Sequence, residues 1–249
     1  MKRHLISAMA ALCILGAADA AAQGPRHHHG RFGESGVELS VGYLHSGYKH
    51  KEWVSEEVER DKGLNGLYIG VTKDFTLVRR TLYFQTGATY EFQNASNRFS
   101  EAGINLVSDR SEHYIDIPLR LKFAMDVLPD LRAFVYAGPT LDFGLSSSLT
   151  YRAKIGDHVE KFTYNYYNGK IKSNTITGYT PTLPAGAYRA FDVLMGGAVG
   201  VELYDIAVVK LGFDWGLINK NKKKDGSNYN LYTDGLKIYV TIDSRMQQY

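Results

Sequence analysis

The sequence predicts an all-β protein, a closed antiparallel transmembrane β-barrel of about eight strands with short periplasmic turns and long external loops. Three observations in the 249-residue chain support this fold class. The chain begins with an export-type apolar run, continues with long segments that alternate apolar and polar residues, and joins those segments by alternately short and long connections. A ten-stranded barrel is the alternative strand count.

The N-terminus has the features of a secretory signal peptide. Lys2 and Arg3 give it a positive start, an apolar run covers 5–18, and small residues around Ala20 offer cleavage sites. The other interpretation is a membrane anchor, but the run is shorter than the roughly 20 residues that a spanning helix needs. The predicted organisation is a signal peptide at 1–22, an exposed lead-in at 23–35 and an outer-membrane barrel domain at 36–249.

Composition excludes several classes of function. The only cysteine, Cys13, lies inside the apolar run, so the exported chain has neither a disulfide nor a thiolate metal site. The formal net charge is +3 and is spread along the chain, without the basic stripe that nucleic-acid binding requires. Three histidines at 27–29 lie in the lead-in with no carboxylate nearby, so we expect no metal site and no cofactor there.

Two-residue alternation is the strongest structural signal. In 115–123 the odd positions are Ile, Ile, Leu, Leu and Phe, whereas the even positions are Asp, Pro, Arg and Lys. Successive strand side chains point to opposite faces, so one face of this strand is apolar and the other is charged. The segments that follow this pattern are 37–45, 64–77, 81–93, 115–123, 131–146, 190–204, 207–218 and 236–243.

The length of these segments favours a membrane protein. A tilted transmembrane strand needs about 9–11 residues, whereas the commonest strand length in soluble proteins is about 5–6. In lipid the apolar column faces outward and the polar column faces inward. A soluble β-sandwich or ligand-binding barrel remains the alternative. Aromatic girdles at headgroup depth are predicted from Tyr43, Phe75, Tyr90, Phe92, Phe123, Phe143, Phe191, Phe213 and Trp215.

The connections alternate in length, as they do in outer-membrane barrels. The short ones lie at 78–80, 127–130 and 205–206, and they are predicted to be periplasmic. The loop at 147–189 has its own alternation, which indicates either a hairpin that extends strands five and six or two additional strands. The long connections, predicted to be external, are 46–63, 94–113, 147–189 and 219–235.

Charged residues of both signs occupy the inward column. An eight-stranded barrel is only wide enough for side chains to fill it, so these charges are expected to pair across the lumen. A proton path or ion site is the alternative interpretation. The predicted ionic network consists of Glu38, Glu91, Asp116, Arg120, Lys122, Asp142, Glu202, Lys210 and Asp214.

Tyrosines in the loop 147–189 are the candidate surface for binding a partner. Exposed tyrosines give rigid, amphipathic contact area. The candidates are Tyr151, Tyr164, Tyr166, Tyr167 and Tyr179. No catalytic motif links the histidines and serines near the predicted external ends, so we expect the protein not to be an enzyme.

Two neighbouring strands resemble a known family. Residues 114–123 resemble a Tyr-x-x-Ile-Pro-Leu-x-x-Lys-aromatic strand, and residues 134–141, with Tyr-x-Gly-Pro, resemble the Tyr-x-x-Gly-Pro strand that follows it. Both are similar to the PorT-like outer-membrane β-barrel proteins of Bacteroidetes. The chain ends on Tyr249 without the aromatic-x-aromatic strand that is usual in that family. The resemblance implies an outer-membrane barrel and, through PorT, a link with protein secretion.

These observations predict an outer-membrane protein of a Gram-negative bacterium. Its lumen is expected to be filled, and its external loops to have a structural or surface-binding role. A narrow pore or a PorT-like secretion accessory is the alternative, and a barrel enzyme is a more distant one. The expected partners are outer-membrane lipid and other envelope proteins, with no nucleic acid.

Overall fold

A computed structural model gives the fold. It describes residues 36–47, 49–50, 63–101, 103–155, 157–172, 175–180, 188–203, 207–221, 231–232 and 238–247. The predicted signal peptide, the lead-in with its three histidines and much of the loops 46–63 and 219–235 lie outside these residues. Within them, no helix is both long and apolar enough to cross a membrane.

Twelve β-strands make up the described structure, eight of them long. The strands are β1 (Gly36–Ser46), β2 (Lys49–His50), β3 (Leu64–Val78), β4 (Leu82–Glu101), β5 (Ile104–Leu128), β6 (Leu131–Ile155), β7 (His158–Asn165), β8 (Ile171–Lys172), β9 (Phe191–Leu203), β10 (Ala207–Gly216), β11 (Leu231–Tyr232) and β12 (Ile238–Gln247). Each of the eight alternating segments predicted from the sequence lies largely within one long strand: β1, β3, β4, β5, β6, β9, β10 or β12.

All the strand pairs are antiparallel, and each long strand has a hydrogen-bonded neighbour on both sides. The main sheet runs in the order β5-β4-β3-β1-β12-β10-β9-β6-β7-β8, and β5 also pairs with β6. The N-terminal strand β1 therefore lies between β3 and the C-terminal strand β12. Short turns at 79–81 and 129–130 join β3 to β4 and β5 to β6.

The prediction that 94–113 is a loop is wrong. Strands β4 and β5 continue through this segment and stay paired from Leu82↔Phe123 to Glu101↔Ile104. Two-residue alternation persists here, but apart from Val107 the outward positions hold polar or charged residues instead of apolar ones. The part of the sheet with outward apolar side chains, which we call the apolar zone, ends here, although the strands continue beyond it. The sequence of this continuation therefore resembles that of a polar loop.

Within the segment 147–189, the end of β6 and β7 form the predicted hairpin extension. The first part of β6 pairs with β9, from Leu131↔Leu203 to Phe143↔Phe191. Its last part pairs instead with β7, from Ser148↔Asn165 to Ile155↔His158. The distal parts of β4, β5 and β6 together with β7 thus form a four-stranded extension, which we call the projecting sheet.

One extra residue in β6 keeps the faces of the projecting sheet consistent. His113 pairs with Ser146 and Tyr114 pairs with Gly144, so Leu145 is a β-bulge. Below the bulge the buried side chains of β6 are at even positions, such as that of Arg132. Above it they are at odd positions, such as that of Tyr151. Because side chains alternate with period two, the extra residue reverses which positions face inward.

Burial along the strands is inverted relative to a soluble protein. In β5, Leu121 is 53% exposed and the adjacent Lys122 is 1% exposed. The charged column is buried on one side of the sheet, which we call the enclosed side. The apolar column points to the opposite side. Further exposed apolar residues are Val41, Leu67, Ile69, Val135, Val199 and Leu211. A surface of this kind is stable only in an apolar solvent.

Prolines interrupt the pairing between the longest strands. Pro118 in β5 and Pro139 in β6 carry no N–H, and the registers of β5 skip positions beside both. Gly138 has φ of 155°, and a Cβ there would lie 2.3 Å from the Leu119 carbonyl oxygen. A side chain at position 138 would therefore clash with the backbone of β5 where hydrogen bonds are missing, and only glycine fits.

Candidate functional site

A buried ammonium group at the centre of three carboxylates dominates the enclosed side. Lys122 Nζ lies 3.1 Å from Glu38 Oε1, 2.9 Å from Asp74 Oδ2 and 2.7 Å from Glu202 Oε1. These four side chains come from β5, β1, β3 and β9, so the group ties together strands from opposite parts of the sheet. Each of the four is 1% exposed or less.

Two further cations balance this cluster. Lys210 Nζ lies 3.8 Å from Glu38 Oε2, and Arg132 Nη1 lies 3.8 Å from Glu202 Oε2. Three cations therefore face three carboxylates, so the buried charges compensate one another. Arg132 also donates to the Tyr83 hydroxyl at 2.9 Å. Four residues of this group, Glu38, Lys122, Glu202 and Lys210, belong to the ionic network predicted from the sequence. Asp74 and Arg132 complete the group.

The three carboxylates have the separation of a metal site, but the lysine occupies the position of the ion. Oxygens of Glu38, Asp74 and Glu202 lie within 4.8 Å of one another. Lys122 Nζ is within hydrogen-bonding distance of all three, so a second cation at the same point would meet strong repulsion. The group is therefore an internal ion cluster.

A second group centres on Arg120. Its guanidinium donates to Asp214 Oδ2 at 3.0 Å, to the Tyr136 hydroxyl at 2.9 Å and to Thr140 Oγ1 at 3.1 Å. The guanidinium carbon also lies 4.7 Å from the centroid of the Tyr136 ring. Arg120 and Asp214 come from β5 and β10, so this ion pair spans the enclosed side as well.

The remaining space between these groups is small. A cavity of about 40 Å³ is lined by Glu91, Asp116, Arg120, Lys210 and Asp214, together with several hydroxyl groups. Such a volume accommodates a few water molecules. It is far below the roughly 300–1,000 Å³ of a small-molecule site. The described side chains thus leave little space between these ionic groups.

A third ionic group closes the end from which the projecting sheet extends. Arg110 Nη2 donates to Glu112 Oε1 at 2.9 Å, and Ser147 Oγ donates to the same oxygen at 2.8 Å. Lys220 Nζ lies 4.0 Å from Asp142 Oδ2 and 3.7 Å from Asp192 Oδ2. Arg110 and Glu112 are absent from the predicted ionic network because 94–113 is predicted to be a loop. The two-residue alternation of β5, which continues through this segment, could have identified them.

Of the five tyrosines predicted as an exposed contact surface, four are buried instead and Tyr167 is half-buried. Tyr151, Tyr164 and Tyr166 are 1%, 3% and 3% exposed, and Tyr179 is 8% exposed. They pack on the inner face of the projecting sheet, where the residues around Tyr166 and Tyr179 cover it. The predicted exposure of these tyrosines is wrong because the sheet continues beyond the apolar zone. Its inner face there is covered by these aromatic side chains. We call this the aromatic cluster: Leu106, Leu149, Tyr151, Ala153, Phe162, Tyr164, Tyr166, Ile176, Tyr179 and Tyr188.

Ring contacts give the aromatic cluster a defined geometry. Tyr166 stacks on Tyr188 with ring centroids 4.9 Å apart, and Tyr164 meets Tyr166 edge-on at 5.3 Å. The Arg110 guanidinium carbon lies 4.8 Å from the centroid of the Tyr166 ring. The cluster is therefore continuous with the ionic group below it.

Two titratable groups outside the apolar zone have displaced pKa values. Burial raises the pKa of the Tyr167 hydroxyl, and the nearby charges of Glu112 and Asp142 raise it further. The Thr177 backbone N–H and hydroxyl, both hydrogen-bonded to Glu160, lower the pKa of that carboxyl. Tyr167 thus stays neutral, and Glu160 stays ionised and holds segment 175–180 against β7 over the ordinary pH range.

Aromatic pairs mark both limits of the exposed apolar zone. At the limit nearer the projecting sheet, Phe92 contacts His113 with ring centroids 5.0 Å apart, and Phe143 contacts Phe191 at 5.2 Å. At the opposite limit Phe75 contacts Phe84 at 6.5 Å. All these residues lie at outward positions, as girdle residues of a membrane protein do.

A comparison with known protein families agrees with this architecture. A family model described as "Outer membrane protein beta-barrel domain" matches residues 21–221. No characterised protein matches the sequence significantly. Among solved structures, the chain is similar to Ail, the attachment invasion locus protein of Yersinia pestis, in complex with the heparin analogue sucrose octasulfate. It is 11% identical, with a TM-score of 0.40 over 85% of this chain and 99% of that chain. An outer membrane channel from Pseudomonas putida F1 is 7% identical, with a TM-score of 0.25 over 90% of this chain and 99% of that chain.

Proposed function

From the premise that this chain belongs to the outer membrane protein β-barrel domain family, we propose that it is a closed, eight-stranded barrel without a pore. Its role would be structural or surface-binding, through the parts outside the membrane. The observation that carries this proposal is the Lys122 cluster, which joins β1, β3, β5 and β9 across the enclosed side.

The pairing pattern supports closure. The long strands follow one another as β1, β3, β4, β5, β6, β9, β10 and β12, and β12 pairs again with β1. Every backbone group in lipid needs a protein partner, so strands cross a membrane only when no edge is left open. With eight strands the interior is about as wide as the side chains that fill it. An enzymatic role is not part of this proposal.

The exposed apolar zone sets the membrane position. Leu121 lies on β5 about midway between His113 and the turn after Leu128, and it is 53% exposed. The projecting sheet would then stand outside the cell, and the short turns would face the periplasm. Export by the N-terminal segment 1–22 is part of the same proposal.

Leu121→Arg tests the membrane position. Arginine on the lipid face costs about 2–4 kcal/mol at the bilayer midplane and about 0–1 kcal/mol near the interfaces. We expect the free energy of unfolding in phosphatidylcholine vesicles, measured by urea titration, to fall by about 3 kcal/mol. Val159→Arg is the matched control, because Val159 is 64% exposed on the projecting sheet. Equal effects of the two substitutions would contradict the assignment.

Electrical recording tests the absence of a pore. We expect the wild-type protein, reconstituted into planar bilayers, to give no steady single-channel current. Folding in the same preparation is checked by the slower migration of the folded form relative to the heated form on SDS gels. A sustained ohmic current from folded protein would favour the narrow-pore or secretion-accessory alternative instead.

A further inference from the structure

The outward face of the projecting sheet carries a row of cations. The register places Arg98 opposite Val107, Val107 opposite Arg152, and Arg152 opposite Lys161. These four residues therefore lie side by side across β4, β5, β6 and β7. Lys154 lies at the next outward position of β6, and Lys172 pairs with Thr163 one outward position away from Lys161.

This face is strongly unbalanced in charge. Over 94–100, 105–113, 146–154 and 159–165, together with Lys172, the outward positions hold five Lys or Arg residues and one carboxylate, Asp109. Asp109 is already engaged, since it pairs with Arg152 and accepts a hydrogen bond from Ser96 Oγ at 2.7 Å. Within the described part of the chain, no carboxylate forms an ion pair with Arg98, Lys154 or Lys161. A concentrated cationic surface results.

The arrangement is unfavourable for the protein alone. Like charges directly opposite each other on neighbouring strands destabilise a sheet. Arg152 and Lys161 are such a pair, and both are exposed. An anion bound between them relieves the repulsion and gains charge-assisted hydrogen bonds from the arginine. The row therefore has the chemistry of a phosphate-binding surface.

The position of the face identifies the source of the phosphate. The outward column of β5 runs without a break from lipid-facing Leu121 through His113 to Val107. Six residues separate His113 from Val107, which is about 20 Å along a strand. On the proposed function, on which this inference rests, the cationic row stands about 20 Å along the strand beyond the aromatic limit of the apolar zone and faces sideways above the membrane surface.

We propose that this face binds the phosphate groups of the outer-leaflet glycolipid. The glycolipid surrounds the barrel, so its acyl chains contact the apolar column while its phosphorylated headgroup reaches the cations above. Because the same strands carry both surfaces, one glycolipid molecule is held at both ends of its amphipathic structure. Attraction of this kind weakens as salt is added.

The test uses Arg98→Gln combined with Lys161→Gln. Neither residue forms an ion pair with another described residue, so the double variant removes two charges without breaking an ion pair of the described structure. Each cation near an anionic lipid surface strengthens binding about fivefold, so we expect about 25-fold weaker binding of bisphosphorylated lipid A. The measurement is surface plasmon resonance in dodecyl maltoside, with the full-length protein captured by an affinity tag. Arg79→Gln combined with Lys170→Gln is the control for charge, because both residues are exposed and lie off this face.

Further arms separate the outcomes. Dephosphorylated lipid A should bind the wild-type protein as weakly as bisphosphorylated lipid A binds the double variant. Inorganic pyrophosphate that binds as tightly as lipid A, or equal loss in the control variant, would overturn the proposal. Gel mobility of the same samples reports whether the barrel is folded. If the folded wild-type protein does not bind lipid A, this inference is refuted, whereas the proposed function still stands.

Discussion

Replacement of Lys122 by Met should lower the free energy of unfolding by about 3–5 kcal/mol, the usual cost of removing one partner from a buried ion cluster. The substitution keeps the length of the side chain but removes the ammonium group. Glu38, Asp74 and Glu202 then lie close together, and the cations that remain beside them among the described residues are Lys210 and Arg132, each 3.8 Å from its carboxylate. The measurement is urea unfolding in vesicles, followed by the change in gel mobility.

Two comparisons make this result specific to the ion cluster. Lys170→Met removes an exposed lysine from a turn and should change stability by less than about 0.5 kcal/mol. Combining Lys122→Met with Glu202→Gln should restore part of the loss, since one of the excess negative charges goes with the carboxylate. If Lys122→Met proves no more harmful than Lys170→Met, the cluster does not hold the strands together.

Truncation of Tyr151 to Ala should unfold the projecting sheet while the barrel stays intact. Removal of a large buried aromatic side chain costs about 3–5 kcal/mol. Tyr151 is 1% exposed and contacts Phe99, Phe162 and Tyr179, with ring centroids 5.9–6.3 Å apart. The projecting sheet lies beyond the exposed apolar zone, so the aromatic cluster supplies most of its apolar burial.

Limited proteolysis measures this effect. Trypsin should cleave the Tyr151→Ala variant after Arg152, Lys154 or Lys161 much faster than it cleaves the wild-type protein. The heat-dependent gel shift of the barrel should be unchanged. Ile155→Ala is the control, since Ile155 is 39% exposed on the same strand. Equal protection of wild-type and Tyr151→Ala protein, or loss of the gel shift, would contradict separate stabilisation of the two parts.

Two-residue alternation predicted the strands and their inward charges because a membrane imposes one chemistry on each face. The contrast between Leu121 and Lys122 is visible in the sequence alone. Sequence reasoning assigned Glu38, Lys122 and Glu202 to one interior, but it did not specify that all three would meet at one ammonium group. That meeting depends on the stagger of β1, β5 and β9, which is a property of the strand pairing across the sheet and not of any single strand.

The same reasoning failed outside the apolar zone. Beyond Asn94 and before His113 both faces contain polar residues, so the pattern no longer distinguishes a strand from a loop. The bulge at Leu145 then reverses the parity of β6, and Tyr151 follows a different alternation from Tyr136. Period counting has no means of detecting one inserted residue when the flanking residues are Gly and Ser. The burial of the tyrosines was therefore unpredictable from their spacing.

Unequal strand length makes the protein lopsided about the membrane normal. Strands β5 and β6 have 25 residues each, whereas β9 has 13 and β10 has 10. At about 3.3 Å per residue, one flank extends some 40 Å farther than the other along the strand direction. Among the described residues, the strands of the β4–β7 flank therefore extend farther than those of the opposite flank, formed by β9, β10, β12 and β1. A neighbouring membrane protein that contacts the β4–β7 flank should therefore meet the longer stretch of sheet.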